Sequence, residues 1–155
     1  MGTCGSVFWR AEHVKQRVRY ELTGLLCDTI CQNASCKPTN FKTSPHRMYA
    51  IKKEMSLVRS SAEDWARLLY LGGLTSKPYH VVVCDIAKCM GVFKLGHILT
   101  FCTYINDMCV IKLRKNEHVD VYTVVDGVVK ILVTKHLDVC VDFLKHLDSV
   151  PLMDL

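Results

Sequence analysis

The sequence predicts an α+β fold with N-terminal helices, an antiparallel meander sheet of five to six strands and a closing C-terminal helix. Three observations carry that expectation. Apolar residues between positions 10 and 32 recur at helical spacing. From Tyr79 onward the chain turns to short runs of β-branched and aromatic residues, and Asp126-Gly127 stands between Val-Val pairs as a two-residue hairpin turn does.

Taken in order, Val14, Val18, Leu22, Leu25, Leu26 and Ile30 form one apolar stripe on a helix over 10–32, so residues 1–9 read as a flexible N-terminal segment. Residues 33–46, rich in Asn, Ser, Thr, Lys and Pro, read as an exposed loop with almost nothing to bury. Ile51, Met55 and Val58 suggest another turn or two of helix. Ser60 with Glu63, or Ser61 with Asp64, then offers a capping-box start for a helix carrying Trp65 and Leu69 that ends at Gly72-Gly73.

The predicted strands are His80 to Asp85, Met90 to Leu95, His97 to Ile105, Met108 to Arg114, Val119 to Val125 and Val128 to Thr134, with Asn106-Asp107 as a second, weaker turn. Leu137, Cys140, Val141, Leu144 and Leu147 predict the last helix.

The chain has 155 residues, half of them hydrophobic and 23% charged, a composition of globular rather than disordered proteins. A single domain over 1–155 is expected, large enough to bury a core without disulfides or metal. No apolar run reaches the ~20 residues of a membrane-spanning helix, and the N-terminus lacks a secretory layout, so a cytoplasmic protein is expected. In that setting the nine cysteines read as thiols, ligands or small core residues.

Net charge is +5. Residues 1–60 hold ten Lys/Arg against four Asp/Glu, and residues 61–155 ten against eleven, so the basic character belongs to the N-terminal part. A solvated helix face explains this most simply; an anionic membrane surface or nucleic acid is the sharper reading.

Met1-Gly2-Thr3-Cys4-Gly5-Ser6 fits the acceptor pattern for N-myristoylation at Gly2. One myristoyl chain anchors only marginally, and the chain supplies two candidate second signals. These are palmitoylation of Cys4 and the basic residues Arg10, Lys15, Arg17 and Arg19, placed to meet anionic headgroups in a peripheral membrane association. Phe8, Trp9 and Arg10 form an aromatic-basic patch that reads first as a hydrophobic staple.

Cys27 and Cys31 share a helix face away from the Val14/Val18/Leu22/Leu25 stripe, with Cys36 and His46 following in C-x3-C-x4-C-x9-H spacing. Two thiolates one turn apart, a third thiol and an imidazole are the donor set of a tetrahedral zinc site. Unligated thiols facing solvent or a partner are the plainer alternative.

An early cysteine, Cys4, beside a helix-rich half and a histidine, His80, at the start of a strand resemble the chain order of papain-type cysteine peptidases, in which such a pair would be nucleophile and base. The second cysteine of that family's local signature is missing. Lys112-Leu113-Arg114-Lys115 with Lys94 and Lys130 puts positive charge on the expected sheet, but the interleaved aromatics of a nucleic-acid platform are sparse.

The favoured reading is a non-enzymatic interaction or regulatory module. It would bind a protein partner through the basic N-terminal helix and the cysteine-bearing face. A papain-like thiol protease using Cys4 and His80, and a basic nucleic-acid binder, are the alternatives.

Overall fold

The structure, a computed structural model, describes residues 2–36, 39–61, 65–67, 69 and 94–152, with side chains from Arg10 onward. Among the described residues five helices are bounded: α1 (Gly2–Asn33), α2 (Pro45–Ser61), α3 (Leu95–Arg114), α4 (Val121–Lys135) and α5 (Leu137–Ser149). Residues 65–67 and 69 are also helical.

The expected α+β class is overturned, since no strand occurs among the described residues. Residues predicted as strands over His97 to Ile105 and Met108 to Arg114 form α3, and those over Val119 to Val125 and Val128 to Thr134 lie almost wholly in α4. Both supposed hairpin turns fall inside helices: Asn106-Asp107 in α3 and Asp126-Gly127 in α4. The predicted strands at His80 to Asp85 and Met90 to Leu95 lie outside the described residues, save the last two positions of the second.

The physical reason is burial. In α4, Val125, Val128, Val129, Leu132 and Val133 are the buried residues. Their spacing makes one helical stripe, and burying that stripe outweighs the preference of β-branched residues for strands. Ile98, Cys102, Ile105 and Cys109 do the same in α3. Local chemistry agrees: the Thr123 N–H donates to the Asp120 side chain at 3.2 Å, a helix N-cap, and His97 Nδ1 accepts from the Lys94 N–H at 3.0 Å where α3 begins.

Periodicity located the other helices. α1 contains the predicted 10–32 span and begins earlier, at Gly2; α5 matches the closing helix. Ser60 and Ser61 belong to the end of α2, where their hydroxyls donate to the Ser56 and Val58 carbonyls, so they are not the start of a new helix. Glu63, Asp64 and Gly72-Gly73 lie outside the described residues.

The second half of α1 is the centre of the assembly. α1 packs against each of α2, α3, α4 and α5, most extensively α4. Leu22, Thr23, Leu25, Leu26, Cys27, Thr29 and Ile30 are all buried, together with Ile51 and Met55 of α2, Phe143 and Leu147 of α5 and the apolar face of α3. A helix enclosed on several sides has no single stripe. No helix among the described residues is long and apolar enough to cross a membrane.

Candidate protein-interaction site

The site is built on Gly24. In the middle of a helix glycine costs about 1 kcal/mol relative to alanine, so its presence in the central helix needs a reason. That reason is Phe41. A Cβ on Gly24 would stand 2.9 Å from Phe41 Cδ1 and 3.2 Å from its Cβ, closer than atoms tolerate. The bare backbone therefore provides a seat for the phenyl ring, and the segment after α1 is laid across the helix instead of leaving it.

Asp28, one turn on from Gly24, holds that segment down. Its Oδ1 accepts from the Thr39 hydroxyl and its Oδ2 from the Thr43 N–H at 3.1 Å, while the Phe41 N–H donates to Thr39 Oγ1 at 3.2 Å. Residues 33–46, expected to be an exposed loop with little to bury, thus carry a half-buried aromatic anchor, and Pro45 and His46 already belong to α2.

Phe41 is the centre of an aromatic row. Tyr20 tilts against it at a 5.2 Å centroid separation, and Tyr122 of α4 stacks near-parallel at 6.3 Å. Both tyrosines remain open, 62% and 54% exposed.

A groove lies on either side of the crossing segment. One, of about 480 Å³, is lined by Arg17, Tyr20, Gly24, Phe41 and Lys42 with Arg47 at its end. The other, of about 490 Å³, is lined by Asp28, Cys31, Cys36, Phe41, Lys42 and Met48.

Charge in the first groove is net positive for a specific reason. Its two carboxylates, Glu21 and Asp148, both face Arg47, which lies 3.6 Å from Glu21 and makes a two-point contact with Asp148 at 2.8 and 2.9 Å. The Arg47 hydrogen bonds hold the Asp148 carboxyl below its ordinary range. Arg17 and Lys42 are exposed and make no ion pair with the described residues.

The predicted site residues divide among several places. Arg10 and Arg17 are exposed and Lys15 half-buried, but Arg19 is turned to α4, its Nε and Nη2 donating to Asp126 Oδ1 and Oδ2 at 2.9 and 2.7 Å. The side chain of Cys4, and those of Phe8 and Trp9, lie outside the described residues, as does His80; Gly2 is the first residue of α1.

The zinc quartet is not assembled. Cys27, expected on the polar face with Cys31, is in the core because α1 is enclosed there, and burial pushes its thiol up to about 12. Cys31 and Cys36 adjoin one another, whereas His46 stands at the start of α2, close enough to Asp148 to act on its charge. Among the described residues no group of three or more His, Cys, Asp or Glu is placed to hold a metal ion.

The basic run Lys112 to Lys115 ends α3, where cations suit the helix terminus. Within it Lys112 pairs with Glu117 at 3.8 Å and Arg114 donates to the Asn33 carbonyl at 3.0 Å. Tyr20, Phe41 and Tyr122 are the residues sequence reasoning missed as a group; the one signal for them is the isolated glycine at position 24.

No protein-family model matches the chain, and no curated protein or solved structure matches it.

Proposed function

We propose that the protein is a non-enzymatic interaction module that holds an acidic, aromatic-bearing segment of a partner protein in the groove along α1. The observation that carries this is the open row Tyr20–Phe41–Tyr122 flanked by Arg17 and Lys42, whose neighbouring carboxylates are already taken by Arg47. Tyrosine and arginine are the residue types that dominate binding at protein interfaces. The row is also held from behind by Gly24 and Asp28, so little ordering remains to be done on binding.

Acidic rather than basic partners are favoured by the two cations. A segment with its own aromatic is favoured by the exposed tyrosine faces, which offer stacking area.

The test is fluorescence anisotropy with labelled acidic peptides, each carrying one tryptophan or phenylalanine, against basic peptides of the same length. Binding of the acidic set is expected, weakened about tenfold or more by Tyr20→Ala. Neutralising Arg17 and Lys42 to Gln should weaken it further and reduce its salt dependence. Equal binding of acidic and basic peptides, or affinity for anionic vesicles or oligonucleotides alone, would overturn the reading.

A further inference from the structure

The second groove has a chemical feature of its own, which the peptide reading does not use. Cys31 and Cys36 belong to the turn that closes α1. The Cys36 N–H donates to the Cys31 carbonyl at 2.8 Å, and the Ser35 N–H donates to the Gln32 carbonyl at 3.3 Å, with Ser35 in the left-handed region at φ 56°. These paired bonds are those of a Schellman closure, in which the side chains of the two outer residues come together.

The molecule contains a second closure of the same form. At the end of α3 the Glu117 N–H donates to the Lys112 carbonyl at 3.0 Å and the Asn116 N–H to the Leu113 carbonyl at 3.1 Å, with Asn116 at φ 58°. Its outer side chains, Lys112 and Glu117, meet at 3.8 Å. In α1 the same two positions hold thiols, both free, with Cys36 Sγ 4.0 Å from the Ala34 carbonyl inside the turn. An apolar pair is the usual occupant of these positions; here the turn holds two nucleophiles together.

We propose that Cys31 and Cys36 form a modification site for low-molecular-weight disulfides such as glutathione disulfide, which it reduces while closing to an intramolecular disulfide. Cys36 is exposed and Cys31 half-buried, so Cys36 meets the reagent first. Its thiolate attacks one sulfur of the glutathione disulfide, giving a mixed disulfide and releasing one glutathione thiolate, which takes up the proton Cys36 gave away.

Cys31 then loses its proton and attacks the Cys36 sulfur, forming the Cys31–Cys36 bond and displacing the second glutathione, which is protonated in turn. The protein loses two hydrogens with their electrons, and the reagent gains both as two molecules of thiol. The groove beside the pair leaves room for the tripeptide, with Lys42 on its wall to meet a carboxylate.

Closure depends on loss of the Cys31 proton. Burial raises the Cys31 thiol above its ordinary value, with Cys36 and then Asp28 adding to the effect, and the α1 C-terminus contributes further negative potential. Exchange therefore accelerates as pH rises.

The test uses the full chain, reduced, freed of reductant and incubated natively with glutathione disulfide, then acid-quenched and mapped by peptide mass spectrometry. Cys27 falls in the same tryptic peptide, so remaining thiols are alkylated and located by fragmentation. Wild type is expected to lose two hydrogens across Cys31 and Cys36, with Cys27 alkylated. Cys31→Ser should instead accumulate a glutathione adduct on Cys36, and Ser35→Gly, which keeps the left-handed turn, should close as wild type does.

A wild-type protein that holds the Cys36 adduct to the same extent as Cys31→Ser would overturn the proposal. So would a disulfide to any other cysteine, or no reaction at either thiol while the urea-unfolded chain reacts. None of these results bears on acidic-peptide binding, which uses the groove on the other side of Phe41.

Discussion

Phe41 lies against the backbone of Gly24 so closely that a methyl group at position 24 would stand 2.9 Å from its Cδ1. The contact ties a glycine chosen against helix propensity to the one large apolar residue of the crossing segment. Gly24→Ala is therefore expected to act in opposite directions in two backgrounds. In wild type it displaces Phe41 and loosens the segment, giving faster proteolysis between α1 and α2 and weaker peptide binding. In a Phe41→Ala background, with the ring gone, the same change should stabilise by up to about 1 kcal/mol through helix propensity alone. A double-mutant cycle in urea measures the coupling, and additive effects would show that the ring and the glycine are unrelated.

Leu22 and Arg17 lie on the same helix and are expected to separate fold from function. Leu22 is fully buried, so Leu22→Ala should destabilise by about 2–5 kcal/mol. Arg17 is exposed and makes no ion pair with the described residues, so Arg17→Ala should leave stability within about 0.5 kcal/mol while weakening acidic-peptide binding. Chemical denaturation and anisotropy on the same two variants make the comparison.

How far the sequence reveals this molecule follows from what each signal physically measures. Spacing of apolar residues reports burial, and it located α1, α2 and α5. In α3 and α4 the same spacing is present, but β-branched residues at Val124-Val125 and Val128-Val129 also satisfy a strand, and Asp126-Gly127 between them mimics a hairpin. Only the partner decides. Asp126 meets Arg19 from α1, a residue that composition alone assigns to solvent or lipid. The cysteine face was half legible: Cys31 and Cys36 are accessible, but Cys27 is buried because α1 is enclosed on several sides, which periodicity within one helix does not reveal. The aromatic row joins α1, the crossing segment and α4, three stretches that are remote in sequence, and only Gly24 hinted at it.

The Arg19–Asp126 pair should be worth about 1 kcal/mol, since Arg19 is 40% exposed and water screens the contact. Its hydrogen bond from Arg19 holds the Asp126 carboxyl below its ordinary range. A depressed carboxylate contributes its stability above the unfolded-state value near 4 and loses it as pH falls through the folded-state value. Asp126→Asn should therefore lower stability at pH 7 and change it much less at pH 2. An equal loss at both would assign the effect to packing.

Asp107 is expected to be the most sensitive polar residue of the fold. Its side chain is 12% exposed and accepts four hydrogen bonds: from Arg59 Nε and Nη2 at 2.8 and 2.7 Å, from Trp65 Nε1 at 2.8 Å and from Asn106 Nδ2 at 3.0 Å. Burial alone would raise this carboxyl; the bonds from Arg59, Trp65 and Asn106 outweigh it and hold the group below its ordinary range. Charged hydrogen bonds of this kind are worth about 1.5–3 kcal/mol each when a partner is removed, and their effects overlap. Asp107→Ala, which leaves the Arg59 charge and the Trp65 N–H unpaired, is thus expected to destabilise by about 3 kcal/mol. The pH dependence has the carboxylate sign: the contribution is full above pH ~4 and fades as acid protonates Asp107 in the folded state. Trp65 reports the event directly, because the acceptor of its indole N–H loses its charge. In a Trp9→Phe background its fluorescence should shift on acidification before the α-helical circular dichroism is lost. Coincident loss of both signals, together with a neutral Asp107→Ala, would show that the junction of α2, Trp65 and α3 is held by packing alone.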